Sequence, residues 1–198
     1  MTEGWLKNVI YKEVSMNKKV YIFLADGFED IEGLTVVDLM RRADIDIKTV
    51  SIKKSKEITT SHGITMLTDL TFAETDFTDA DMLVLPGGMP GAKNLDESAV
   101  VDAFIKKAEK NGSYLAAICA SPMILGKRGI LSGKRATCFP GFEKYLTGAD
   151  FTGGRVESDG NVVTSCGMGA ALEFALELCR LIKGEDAAKQ LGVSVLAK

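Results

Sequence analysis

Strand-length apolar runs alternate with stripes of helical period along most of the chain, and this alternation restricts the fold more than any single motif. "KKVYIFLA" (18–25), "IDIKTVSI" (45–52), "DMLVLP" (81–86) and "YLAAI" (114–118) read as strands. Between them, "EDIEGLTVVDLMRRAD" (29–44) repeats apolar residues at Ile31, Leu34, Val37 and Met40, which predicts a helix with that stripe inward. "SAVVDAFIKKAEKNG" (98–112) sets Val101, Phe104, Ile105 and Ala108 on one face and stops at Gly112, a helix C-terminal signal. "GAALEFALELCRLIKG" (169–184) predicts a further helix with Leu172, Ala175, Leu176, Cys179 and Ile182 inward. Hairpins are predicted around Ser61-His62-Gly63 in "EITTSHGITML" (57–67) and around Asp159-Gly160 in "GRVESDGNVVTSC" (154–166). Strands alternating with helices imply an α/β fold, a mostly parallel sheet covered on both faces. Sheets of this kind place their sites at the C-terminal ends of strands. Cys119 stands at one such end and Gly87-Gly88 at another.

With 198 residues, 46% of them hydrophobic, the chain suits one domain. A chain of this size buries roughly 70% of the surface its unfolded form exposes, so it needs no staples. The 24 basic and 27 acidic residues are mixed, giving a formal net charge of −3. No basic stripe offers a track for a phosphate backbone, so nucleic acid is not expected as a partner. No apolar run approaches the roughly 20 residues of a membrane span, so no membrane association is expected either. "MTEGWLKNVIYKEVSMNKK" lacks the apolar core and cleavage site of a signal peptide, which makes the cytoplasm the expected compartment. The four cysteines, Cys119, Cys138, Cys166 and Cys179, form no CxxC pair, and His62 is the single histidine. Zinc needs ligands clustered at short spacing, so no metal site is expected and the thiols read as reduced.

Several residues invite a chemical reading. Cys119 lies where "YLAAI" passes into Ala120-Ser121-Pro122. It is either a small apolar filler, as most free cysteines are, or a nucleophile presented on a strand-to-helix elbow. In the second case the helix N-terminus would favour the thiolate. "PGGMPG" (86–91) matches neither GxGxxG nor GxxxxGK[ST], so it reads as a tight turn rather than a phosphate cradle. Its Gly88 N–H could also face an oxyanion near Cys119. Glu32, in "FEDIE", lies at the edge of the inward stripe, where burial would raise its pKa and let it donate a proton. His62 is the sole partner available for a Cys–His pair, and otherwise an exposed turn residue. Cys138 and Cys166 read as packed or semi-exposed thiols, and Cys179 as core.

Taken together, the strand followed by "FEDIE", "LVLPGGMPGAKNL", "AAICASP" and "RVESDGNVVTSCGMGAALEFALEL" resemble, in order and separation, the DJ-1/ThiJ/PfpI superfamily. The resemblance runs from about Lys18 to the end of the chain, leaving residues 1–17 as an N-terminal extension before a domain of residues 18–198. It implies a flavodoxin-like three-layer sandwich, usually a homodimer, with an oxidation-sensitive cysteine on a strained elbow. That cysteine maps onto Cys119, its protonated carboxyl neighbour onto Glu32, and the backbone N–H groups facing the site onto Gly88 and Ala120.

The residue after Cys119 is Ala120, whereas in PfpI-type peptidases and related amidotransferases a histidine typically follows the nucleophile or stands elsewhere as its base. "AICASP" is instead similar to the DJ-1/ThiJ branch. Members of that branch are described as cofactor-free glyoxalases, as deglycases, and as oxidative-stress sensors or chaperones. The implied substrate is a small 2-oxoaldehyde or a glycated adduct, with no cofactor. One departure stands out: "TCFPGF" places Phe139 before Pro140, where much of the branch has a pocket-lining histidine. The pocket expected from Gly87, His62, Phe139 and Pro140 is therefore more apolar than the family pattern, and its proton transfers must dispense with that histidine or borrow His62.

Overall fold

The computed structural model describes residues 18–74 and 76–197, so the extension expected over residues 1–17 lies outside the described residues. Strands β1 (Lys19–Leu24), β2 (Asp46–Ser51), β5 (Leu70–Thr71), β6 (Ala80–Leu85), β7 (Tyr114–Ile118), β10 (Val156–Asp159) and β11 (Val162–Ser165) form one sheet. Its order is β10-β11-β7-β6-β1-β2-β5, with β10 antiparallel to β11 and the other pairings parallel. The remaining strands pair separately: β3 (Glu57–Thr59) with β4 (Thr65–Leu67) as the predicted antiparallel hairpin, and β8 (Arg135–Ala136) with β9 (Asp150–Phe151) in parallel.

Alternation along each central strand feeds two cores. Val20, Ile22 and Leu24 of β1 face one side with Met82, Val84, Ala116 and Ile118. There they meet α1 (Asp30–Arg42), α5 (Ala171–Lys183) and Leu191 of α6 (Glu185–Ser194). Tyr21, Phe23, Leu83, Leu85, Leu115 and Ala117 face the other side. That side is covered by α2 (Gly91–Asp96), α3 (Ala99–Asn111) and α4 (Pro122–Lys127). Each fully buried side chain of this kind contributes roughly 1.5–3 kcal/mol, so the strands buried on both faces anchor the molecule. The result is the expected flavodoxin-like sandwich.

Two helices are rotated from their predicted phase. In α1 the buried residues are Glu32, Gly33, Val36, Val37, Leu39 and Met40, while Ile31 is 49% and Leu34 36% exposed. In α5, Phe174 and Leu178 face inward beside Ala175, Cys179 and Ile182, and Leu172 is exposed. An i, i+3 stripe drifts around a 3.6-residue helix, so Val37 and Met40 lie on the core side and Ile31 and Leu34 do not. The rotation carries a carboxylate, Glu32, into the interior.

The chain leaves β1 toward β2 and β5 on one side, then returns to build β6, β7 and β11 on the other. The switch therefore lies between β1 and β6, and a crevice opens at the carboxyl ends of the strands beside such a point.

Candidate active site around Cys119

β7 ends at Ile118 and α4 begins at Pro122, so the chain turns from strand to helix in three residues. Cys119 takes the turn at φ +64, a left-handed conformation that costs about 1 kcal/mol or more in a residue with a side chain. The surrounding backbone holds it there. Cys119 N–H donates to the Ser165 carbonyl at 2.8 Å, and Phe139 N–H donates to the Cys119 carbonyl at 2.8 Å. The buried Ser121 hydroxyl donates to the Pro86 carbonyl at 2.6 Å, tying the elbow to the end of β6.

The half-buried sulfur faces the Glu32 carboxyl and the backbone N–H groups of Gly88 and Ala120, each of which acts on its proton affinity. Glu32 is 1% exposed. Its Oε2 accepts from Gly87 N–H at 2.9 Å, and the nearby Met168 N–H favours its charged form. Glu29 caps α1 by accepting from the Glu32 backbone N–H at 2.8 Å, which fixes the first turn bearing the buried carboxyl. Gly87 leaves room for this convergence. A Cβ there would lie 2.5 Å from Glu32 Oε2 and 2.6 Å from Cys119 Cβ.

Burial, with the nearby Glu29 charge, raises the Glu32 pKa to about 7 against the opposing effects of Cys119, Gly87 and Met168. Burial and then the Glu32 charge push the Cys119 thiol up to about 12, against the Gly88 and Ala120 amides. This corrects the expectation that a helix N-terminus would favour the thiolate: α4 has six residues, and desolvation beside a carboxylate outweighs it. The pair holds two protons below about pH 7 and shares one above it.

The other expected pocket residues divide. Phe139 is joined to the elbow through its backbone, and its ring stands 47% exposed; Pro140 beside it is exposed. His62 turns elsewhere. Its Nδ1 lies 2.7 Å from Asp30 Oδ2 and 3.2 Å from Ser61 Oγ, and its side chain is 69% exposed. That carboxylate raises its pKa. No histidine hydrogen bond reaches Cys119 or Glu32 among the described residues, so the structure does not bring His62 to the thiol as a base. Glu29, Asp30 and His62 place ligand-type atoms within 4.8 Å of one another, a grouping to which the His62–Asp30 pair contributes.

Cys138 and Cys179 are buried, and burial raises their thiols to about 11 and about 12; Cys166 is half-buried. A groove of about 830 Å³ between β10, α5 and α6 includes neither Cys119 nor any residue bonded to it. Sequence reasoning missed Glu29, Ser165, Gly167 and Met168. The Glu29–Glu32 spacing at a helix start carries a local capping signal. Ser165, Gly167 and Met168 approach the site only through the pairing of β11 with β7.

Comparison with known proteins shows the family. The model of the DJ-1/PfpI family matches residues 18–181. Protein DJ-1 homolog B of Arabidopsis thaliana is 36% identical over 89% of this chain, which spans only 41% of that relative's length. A Pyrococcus abyssi protein named a deglycase is 36% identical, covering 83% of this chain and 99% of its own. The structure of oxidized Toxoplasma gondii DJ-1 superposes with a TM-score of 0.86 at 32% identity, over 90% of this chain and 98% of that one. With a strained cysteine elbow, a buried carboxyl partner and a family model spanning most of its length, the chain belongs to the DJ-1/PfpI family.

Proposed function

We propose that the protein is a cofactor-free glyoxalase or deglycase acting on small 2-oxoaldehydes or their adducts. The observation that carries this reading is the shared contact of one sulfur with the Glu32 carboxyl and two backbone amides. Above about pH 7 the Glu32 carboxylate accepts the Cys119 proton as sulfur attacks the aldehyde carbon. A C–S bond forms, and the carbonyl π electrons move to oxygen, which Gly88 and Ala120 N–H groups stabilise. Glu32 returns the proton to that oxygen, giving a hemithioacetal.

Glu32 then moves the C1 proton to C2 while the C1 hydroxyl proton passes to the C2 oxygen, through an enediol, producing the thioester of a 2-hydroxy acid. Water cleaves this ester, releasing the acid and the thiol. The net change is addition of one water with an internal redox rearrangement, so no external oxidant is needed. The name of the Pyrococcus relative is consistent with this class. Free thiols suit a reducing compartment such as the cytoplasm. Exposed Ile31 and Leu34 on α1, with Leu172 on the adjacent α5, suit a homodimer face.

The second reading is an oxidation sensor or chaperone. The half-buried sulfur and its amide donors would also hold a sulfenic or sulfinic oxygen, and a similar structure is described as oxidized. An intracellular PfpI-type peptidase has less support, because no histidine bonds the sulfur among the described residues.

Steady-state methylglyoxal consumption separates the readings. Multiple turnovers that are lost in Cys119→Ser and Glu32→Gln support the enzyme. Consumption no faster than the Cys119→Ser background would leave the sensor.

A further inference from the structure

We propose that Phe139 and Gly167 form an apolar subsite beside Cys119 that selects electrophiles bearing an aromatic or bulky hydrocarbon substituent. The inference names a substrate class for the thiol chemistry proposed above and rests on that reading. Phe139 is fixed relative to the nucleophile by its N–H bond of 2.8 Å to the Cys119 carbonyl. Its ring belongs to neither core and is half exposed to solvent.

Gly167, lacking a side chain, lets the ring and the thiol come near the same point. A carbon placed on its Cα would lie 3.2 Å from Phe139 Cδ2, 3.8 Å from Cε2 and 4.0 Å from Cys119 Sγ. An electrophile whose substituent lies on the exposed part of that ring brings its reacting carbon toward the sulfur. Next to Gly167, Met168 adds a second exposed apolar side chain.

Charge points the same way. Glu32 and Glu29 stand behind the sulfur and Asp30 pairs with His62. Among the described residues no lysine or arginine is hydrogen-bonded or ion-paired to Cys119, Glu32 or Glu29. A neutral hydrocarbon group is therefore matched to the exposed ring beside a sulfur that faces a buried carboxyl. Contact with one added apolar group in a pocket is worth about 10-fold or more in kcat/KM.

Two measurements test the proposal. Phenylglyoxal conversion to mandelate is compared with methylglyoxal conversion to lactate in wild type, Phe139→Ser and Phe139→Leu. In parallel, Cys119 alkylation by N-phenylmaleimide and N-methylmaleimide is followed by intact mass, each rate divided by that with free cysteine. The expected result is a phenyl preference of about 10-fold in wild type that collapses in Phe139→Ser and is intermediate in Phe139→Leu. If alkylation shows this preference while neither aldehyde turns over, the subsite stands and the glyoxalase reading falls. If the aldehydes turn over but the phenyl preference is absent or indifferent to residue 139 in both assays, the subsite is overturned and the enzyme reading survives.

Discussion

Glu32→Gln should stabilise the protein at alkaline pH while abolishing its chemistry. The carboxyl is fully buried, and its pKa rises from an ordinary 4.5 to about 7 in the fold. A raised pKa means that the native state keeps a proton the unfolded chain has already lost. Stability conferred by the neutral carboxyl is thus complete below 4.5 and is lost as pH rises through about 7. At about 1.4 kcal/mol per unit, ionised Glu32 costs the fold about 3 kcal/mol. Glutamine remains neutral throughout and avoids that cost.

Against this, the amide keeps one oxygen for Gly87 N–H but turns an NH₂ toward the sulfur or Met168 N–H, a mismatch of about 1–2 kcal/mol. The variant should be slightly less stable than wild type near pH 4 and about 1–2 kcal/mol more stable near pH 8. Urea unfolding at both values checks this. A stability difference that does not change with pH would refute a carboxyl titrating near 7, and with it the proposed proton transfers.

The pH dependence of kcat/KM should rise tenfold per unit below about 7 and level off above it, because Glu32 accepts a proton only when ionised; a single profile with methylglyoxal measures it. Gly87→Ala should cost roughly 1–3 kcal/mol by overpacking, since its Cβ would press on Glu32 Oε2 at 2.5 Å and Cys119 Cβ at 2.6 Å. Thermal unfolding and Cys119 alkylation should change together in that variant. Leu34→Glu, at a position already exposed in one copy of the chain, should leave the fold intact and convert the proposed homodimer to a monomer in light scattering at micromolar concentration.

The layers and their order were legible because hydrophobic period and turn chemistry act over a few residues. "KKVYIFLA" and "DMLVLP" became central strands, Asp159-Gly160 became a hairpin turn, and Gly112 ended α3 at φ +71. Short elements escaped this logic. The two-residue β5 exists because β2 offers it partners at Val50 and Ser51, and α6 buries only Leu191. The rotation of α1 was equally invisible, because Ile31 and Leu34 are as apolar as the residues that face inward.

For the site, sequence alone determined the candidates. Cysteine at a strand end, glycines closing the preceding strand and a carboxylate at a helix start mark a possible nucleophile, amide donors and an acid. What each does was decided by tertiary structure. Pairing of β7 with β11 holds Cys119 in its left-handed turn through Ser165, and close approach at Gly87 brings Glu32 against the sulfur. The same assembly draws His62 to Asp30 instead of the thiol and leaves Phe139 at the elbow. Residue type supplies an intrinsic reactivity, but burial and neighbouring charge set the proton affinity of a group, and only the folded chain fixes both.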